Sequence, residues 1–533
     1  MPTDPRKSKS SLNNHRLSIL WILLAFITNA PAFAQNIRYL HQVFESINVQ
    51  HTFYGTNITV LGNPKLYKVS MPVSIFTPKG DTLKNRPLII YVHTGNFLPY
   101  PVNGGTNGRT STFGDPALSL LASLGMGYPV DSTLTEICSR LTKMGYVVAA
   151  IDYRTGWNPI ASTQGERVNT LINAIYRGVQ DLRTAIRYFK STVEWQGNPY
   201  GIDTNKIVGW GEGTGGKITL AAATLDSYED IVNASDRKFI GGTELMPVPY
   251  VIESMHGDIY GTTLGKHPET GDTLSVPNHT GFGSDFQLCV NMGGSLADTG
   301  WLDDSDLPII AFHEPRDPFI PYKDIIGWNP FPLPVFKEQG SYLSAQRADQ
   351  LGLQKTMRNL KLSDVYTRNA NEKNDGIEGL YPITGDNPFD AAPWTWWDTT
   401  VIVLANNKNG LIMNPIMSPS KARRYIDTII GYFAPRAYGI LKLGVLVNTL
   451  DFLQEVDVRF KMMPNPMISH ISLQADLPMK SFTLYDLNGK VLRYLSKINT
   501  YHLTVYRNEL PSGTYFLQVG FEKGVITKTI LIQ

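Results

Sequence analysis

The chain has 533 residues, too many for one ordinary domain and enough for a large buried core. Its composition, 42% hydrophobic, 18% charged and 11% aromatic, is that of a folded, soluble protein. The formal charge of +2 belongs to the N-terminus: residues 1–34 hold Arg6, Lys7, Lys9 and Arg16 against Asp4, and without them 44 basic residues face 45 acidic ones, so the composition points to neither nucleic acid nor an acidic membrane surface as a partner.

A basic leader is followed by an apolar run over 17–27 and by Ala32, Phe33 and Ala34 before Gln35. This is the three-part pattern of a secretory signal peptide over 1–34, and eleven apolar residues are too few to span a bilayer. The mature chain is expected to begin near Gln35 and to carry no transmembrane segment. Two cysteines exclude a structural zinc site built on cysteines. In an exported chain they could pair, but Cys138 falls on an amphipathic helix and Cys289 in an apolar strand, which reads as two separately buried thiols.

Residues 36–80 alternate as antiparallel strands, and 86–93 is a fully apolar strand. A helix over 134–144 precedes a strand over 146–152. Ile172, Ile175, Val179, Leu182, Ile186, Phe189 and Val193 then recur at steps of three and four, one buried helix face. Ile207 and Val208 open a strand that runs into a glycine-rich turn, and a helix starts near Gly215. Strand and helix alternate, so an α/β fold with a mostly parallel sheet and helices on both faces is expected. Residues 226–283 interrupt the rhythm as a cap insertion with a hairpin around Gly271 and Asp272. The sheet resumes at 286–291 and 308–312. An irregular covering loop spans about 323–400, followed by a strand over 401–404 and a helix capped by Ser418 and Pro419 that runs towards Phe433. After about 440, short alternating segments with the turn signal Asn488-Gly489 predict a small all-β sandwich.

Four segments in order carry a resemblance. Tyr91, Val92, His93, Thr94, Gly95, Asn96 and Phe97 look like a His-Gly-Gly-Gly oxyanion loop. The strand over 145–154 ends in Asp152, Tyr153 and Arg154. Residues 179–188 with Gly201, Ile202 and Asp203 resemble the helix and turn that follow. Gly211, Glu212, Gly213, Thr214, Gly215 and Gly216 resemble the elbow Gly-Glu-Ser-Ala-Gly-Gly. Residues 70–435 thus resemble the esterase branch of the α/β-hydrolase superfamily. The resemblance puts the nucleophile position at Gly213, which has no side chain to attack a carbonyl. Thr214 is one residue off. Asp317, in the turn from His313 to Tyr322, matches the triad acid. The base is expected after the acid, yet the histidines after His313 are His470 and His502, both in the terminal segment. A hydroxyl nucleophile needs an adjacent base, so serine restored at 213 alone should restore little. In the oxyanion loop Thr94 and Asn96 replace two glycines and Gly95 remains.

Other residues suggest chemistry more weakly. His93, Glu212, His313 and Asp317 could converge above the strand ends as a relocated polar site or simply line an inherited crevice. His256, Asp258, His267, Glu269 and His279 lack the short spacing of a zinc motif. Asp303, Asp304 and Asp306 resemble half a calcium loop without its glycine and distal glutamate. Trp394, Trp396 and Trp397 could form a stacking platform for a ligand or anchor their own loop. No cofactor and no metal site is expected.

The terminal segment carries a second resemblance. Met463, Pro464, Asn465 and Pro466, then Tyr485 with Asp486 to Lys490, then residues 510–516 and the closing 528–533 look like the type A sorting domain of the type IX secretion system of Bacteroidetes. This implies export across both membranes, an encounter with the secretion machinery through residues 456–533, and release or surface attachment. The expected organisation is a signal peptide over 1–34, a hydrolase-like domain over 35–440, a linker over 441–455 and a sorting domain over 456–533. The first functional expectation is a non-catalytic protein that holds a glycan or peptide, or serves as a scaffold. The alternative is a hydrolase with relocated chemistry on acyl or glycosidic substrates.

Overall fold

The apolar strand after Arg86 is the centre of the molecule. In the computed structural model it spans Arg86–Val92 (β3) and is buried at every residue. The structure describes residues 37–61, 65–95, 97–98, 132–234, 236–328, 333–388, 390–396, 414, 416–444, 458–486, 491–522 and 524–533. The expected signal peptide, the strand expected over 401–404, Asn96, Trp397, the turn Asn488-Gly489, residues 445–455 of the expected linker and residues 456–457 lie outside them.

Around β3 lie β1 (Ile47–Leu61), β2 (Lys65–Pro78), β4 (Val147–Ile151), β5 (Ile202–Glu212), β6 (Leu288–Met292), β7 (Ile309–His313) and β8 (Leu380–Pro382). They form one eight-stranded sheet in the order β1-β2-β4-β3-β5-β6-β7-β8. The first two pairings at the β1 edge are antiparallel and the rest are parallel. Buried parallel strands must be apolar on both faces, and alternate residues show where each face goes. Leu88, Ile90 and Val92 share a core with Ile175 and Val179 of helix α2 (Gln164–Trp195). On the other face, Trp210 meets Phe433 of helix α5 (Pro419–Ile440) with ring centroids 4.7 Å apart. Helix α1 (Ser132–Lys143) packs beside α5, and α3 (Thr214–Thr224) beside α2.

Three expectations need correction or refinement. The stretch 323–400 is not one irregular loop. It holds the paired strands Asp324–Trp328 and Pro334–Gly340, helix α4 (Ser341–Gln350), two shorter helices and β8. A three-residue strand is too short to show a period, so β8 left no alternation to read. Helix α5 continues past Phe433 to Ile440 with Pro435 inside it; proline lacks one backbone donor, and packing of α5 against the sheet carries the helix through. The insertion 226–283 lies along helix α2. It includes the expected hairpin, with Gly265 opposite Ser275 and Gly271 at φ 73°. Where its irregular backbone packs against α2 its carbonyls need donors, which buried guanidinium groups of α2 supply. Arg183 donates to the Ile259 carbonyl at 2.9 Å, and Arg187 to Asn278 at 3.0 Å and Gly261 at 3.1 Å. Beside them Arg154 pairs with buried Asp181 at 2.8 Å.

The terminal segment is a five-stranded antiparallel structure: β9 (Phe460–Met463), β10 (His470–Tyr485), β11 (Val491–Tyr506), β12 (Gly513–Phe521) and β13 (Gly524–Ile532). One half of β10 pairs with β9 and the other with β12, while β11 follows it along both halves. The inward residues Ile471, Leu473, Phe482, Leu517, Val519 and Ile530 form its own core, as the alternation predicts. Tyr485 faces Val491 across the expected hairpin. Among the described residues no helix is long and apolar enough to cross a membrane, and both cysteines are buried and unpaired with each other.

Candidate active site and its relatives

Strand β5 ends at Glu212, Gly213 turns the chain at φ 53° and ψ −114°, and α3 begins at Thr214. A positive φ is costly for a residue with a side chain, and the surrounding glycines are needed for space. A Cβ at Gly211 would lie 2.1 Å from the Gly215 carbonyl oxygen, and one at Gly215 would lie 2.0 Å from that of Val92. The Gly213 N–H donates to the Met292 carbonyl at 2.7 Å, which pins the turn to β6. This is a strand–turn–helix arrangement with glycine at its tip, at the place where the sequence resemblance put the elbow. A Cβ at Gly213 would meet Thr94 Oγ1 at 2.6 Å.

The oxyanion loop is tied into a relay. The Gly95 N–H donates to Thr214 Oγ1 at 3.0 Å, Thr214 Oγ1 lies 3.1 Å from the Tyr153 hydroxyl, and that hydroxyl donates to the His93 carbonyl at 3.0 Å. Thr214 is thus an internal acceptor for the loop. His93 is buried, with Nε2 3.0 Å from Asp152 Oδ1 and Nδ1 against the Thr94 carbonyl.

Glu212 points to the other side of β5. Its carboxylate accepts from the Tyr91 hydroxyl at 2.7 Å and from Trp394 Nε1 at 3.0 Å. Trp394 is 1% exposed and Trp396 6%, with the Arg423 guanidinium 5.7 Å from the Trp396 ring. Both indoles sit inside the protein, and Trp394 clamps the segment after β8 to the elbow strand.

The acid turn follows β7. Asp317 Oδ1 accepts from the N–H groups of Phe319 at 2.8 Å and Ile320 at 3.1 Å, and Oδ2 lies 3.7 Å from His313 Nε2. His313 Nε2 is 3.1 Å from the Ile320 carbonyl, so it is the protonated nitrogen, and Nδ1 faces Ser341 Oγ at 2.7 Å. Burial drives both groups towards neutrality. It holds His313 down to about 4 and pushes Asp317 up to about 7 against its two backbone donors. Of the four residues that could converge or simply line a crevice, the structure brings His313 and Asp317 together. His93 and Glu212 each engage other partners.

The histidines of the insertion are likewise separate. His256 Nδ1 accepts from the Ile252 N–H at 3.0 Å and is held down to about 4 by burial, while His279 Nε2 meets the Tyr54 carbonyl at 2.9 Å. His267 Nδ1 accepts from Glu269 and Thr270 N–H groups, and Asp258 from Thr262. One grouping of carboxylates among the described residues has donor spacing suited to a cation. Asp303 and Asp306 meet Asp226, with ligand oxygens within 4.8 Å of one another, while Asp304 is not part of it. Burial pushes Asp306 up to about 7. Sequence spacing could not reveal Asp226, which lies far along the chain, nor the meeting of Ser341 with His313.

A family model described as BD-FAE matches residues 126–326, and one described as a secretion system C-terminal sorting domain matches residues 461–533. No curated protein matches the chain. Solved structures similar to it include Thermogutta terrifontis esterase 2 phosphorylated by paraoxon, at 16% identity, covering 51% of this chain and 73% of that one with a TM-score of 0.28. The propionate-bound Est2 of the same species is 13% identical, covers 69% and 97%, and has a TM-score of 0.32. Its native form is 14% identical, covers 70% and 94%, and has a TM-score of 0.32. The sheet order and the two matched domains carry the assignment: this chain joins an esterase-like α/β-hydrolase domain to a type IX secretion sorting domain.

Proposed function

We propose that the protein is an exported type IX cargo whose hydrolase domain performs no serine-based acyl transfer and acts as a non-catalytic ligand-binding or scaffold protein. The observation that carries this reading is the elbow itself. Its tip is Gly213, the Thr94 hydroxyl crowds the space a side chain at 213 would enter, 2.6 Å from its Cβ, and the Gly95 N–H already has an internal acceptor. Oxyanion donors help only when they are free to meet charge that develops on a substrate oxygen. A base is missing as well, since no histidine stands between His313 and His470. A glycan or peptide is the ligand class proposed for the hydrolase domain. Residues 1–34 are proposed as a signal peptide, residues 456–533 as the segment read by the secretion machinery, and the outer surface or the medium as the destination.

The test is hydrolysis of short activated acyl esters by the full-length chain, beside Gly213→Ser and Asp317→Ala variants and an active esterase. We expect background rates from all three forms of this chain. Turnover by the parent that Asp317→Ala abolishes would overturn the reading in favour of relocated chemistry around His313, Asp317 and Ser341.

A further inference from the structure

The face of the sheet covered by α1 and α5 carries a cavity of ≈ 390 Å³ whose lining includes no residue of the elbow, the oxyanion loop or the acid turn. Its volume falls within the range of small-molecule sites, roughly 300–1,000 Å³. Leu40, Met144, Ile430 and Pro435 give it an apolar lining, and Arg140, Asp364 and Asp427 a charged one.

Two acceptors stand together on the α5 wall of this cavity, whose polar lining also includes Gln42, Tyr366 and Arg140. Pro435 has no N–H to give the Gly431 carbonyl one helical turn back, and both residues line the cavity. Asp427 stands on the same face of α5, four residues before Gly431, and its side chain remains 55% exposed. Arg140 is held between Glu136 and the Oδ1 oxygen of Asp427, so the positive charge on the lining is already matched, and it is the second carboxylate oxygen of half-exposed Asp427 that is offered to a ligand. Asp364 spends its carboxylate on Thr367 N–H and Oγ1. His41 is held below its ordinary value by burial and adds no charge at neutral pH. Gly431 has to be glycine for this wall to close, because a Cβ there would lie 2.1 Å from the Tyr366 ring.

We propose that this cavity binds a small organic amine. The ammonium donates to the Asp427 carboxylate and the Gly431 carbonyl, and the hydrocarbon body rests on Met144, Ile430 and Pro435. An ammonium carries three donors and no acceptor, the complement of these groups.

Calorimetric titration of the full-length chain with hexylamine at neutral pH, beside hexanol and hexanoate, tests this. Hexylamine should saturate one site and bind more tightly than either analogue of equal length. Asp427→Asn should weaken it about tenfold, as loss of a charge-assisted hydrogen bond does. Pro435→Ala supplies the missing N–H to Gly431 and suits a helix, and should weaken binding about fivefold without disturbing the fold. Hexanol binding as tightly as hexylamine, the absence of saturation, or an unchanged Kd in both variants would overturn the proposal.

Discussion

The turn after β5 and the turn after β7 hold their residues in opposite ways. The first is a strand–turn–helix backbone with no side chain at its tip. The second has the Asp317 carboxyl and the His313 imidazole, and holds both inside the protein. The difference teaches what keeps each feature in place. The elbow is held by glycine contacts and a backbone hydrogen bond, none of which involves the group the turn would display. The pair His313 and Asp317 is held by burial and by hydrogen bonds to Ile320, Phe319 and Ser341, so it serves packing whether or not a substrate exists.

Breaking the frame should have the largest effect. Gly215→Ala places a Cβ 2.0 Å from backbone that cannot yield. We expect a loss of about 4 kcal/mol in urea unfolding, or no folded protein. Next comes the support behind the frame: Arg154→Met strands the buried Asp181 carboxylate and should cost about 3 kcal/mol by the same measurement. Gly213→Ser sharpens the comparison, because its contact is the movable end of Thr94. Positive φ and that contact together should cost about 2 kcal/mol, and adding Thr94→Gly should return about half of it while ester hydrolysis stays at background.

The smallest effect separates the two members of the acid turn by pH. His313 drops from 6.5 to about 4 on folding, so between those values the unfolded chain binds more protons and stability falls as the solution is acidified. Asp317 rises from 3.8 to about 7, so over that interval the folded chain binds more protons and stability rises on acidification. The two trends oppose each other in the parent. Asp317→Asn should therefore lose melting temperature between pH 7 and pH 5 relative to the parent, and His313→Gln should gain it. Equal slopes in both variants would mean that neither group is held as the geometry indicates.

By itself the sequence determined the sheet rhythm, the buried face of α2, the glycine frame of the elbow and the terminal β segment, because each is a local pattern with a period or a turn chemistry of its own. It also placed Gly213 in the turn between β5 and α3. Only the tertiary structure decided where the polar side chains go. Glu212 turns to Tyr91 and Trp394, Trp394 is an anchor inside the protein, His313 meets Ser341, and Asp226 joins Asp303 and Asp306. Those pairings cross stretches of chain that no local pattern spans. The strand β8 was hidden for a related reason: three residues become a strand only because β7 offers them a ladder to join.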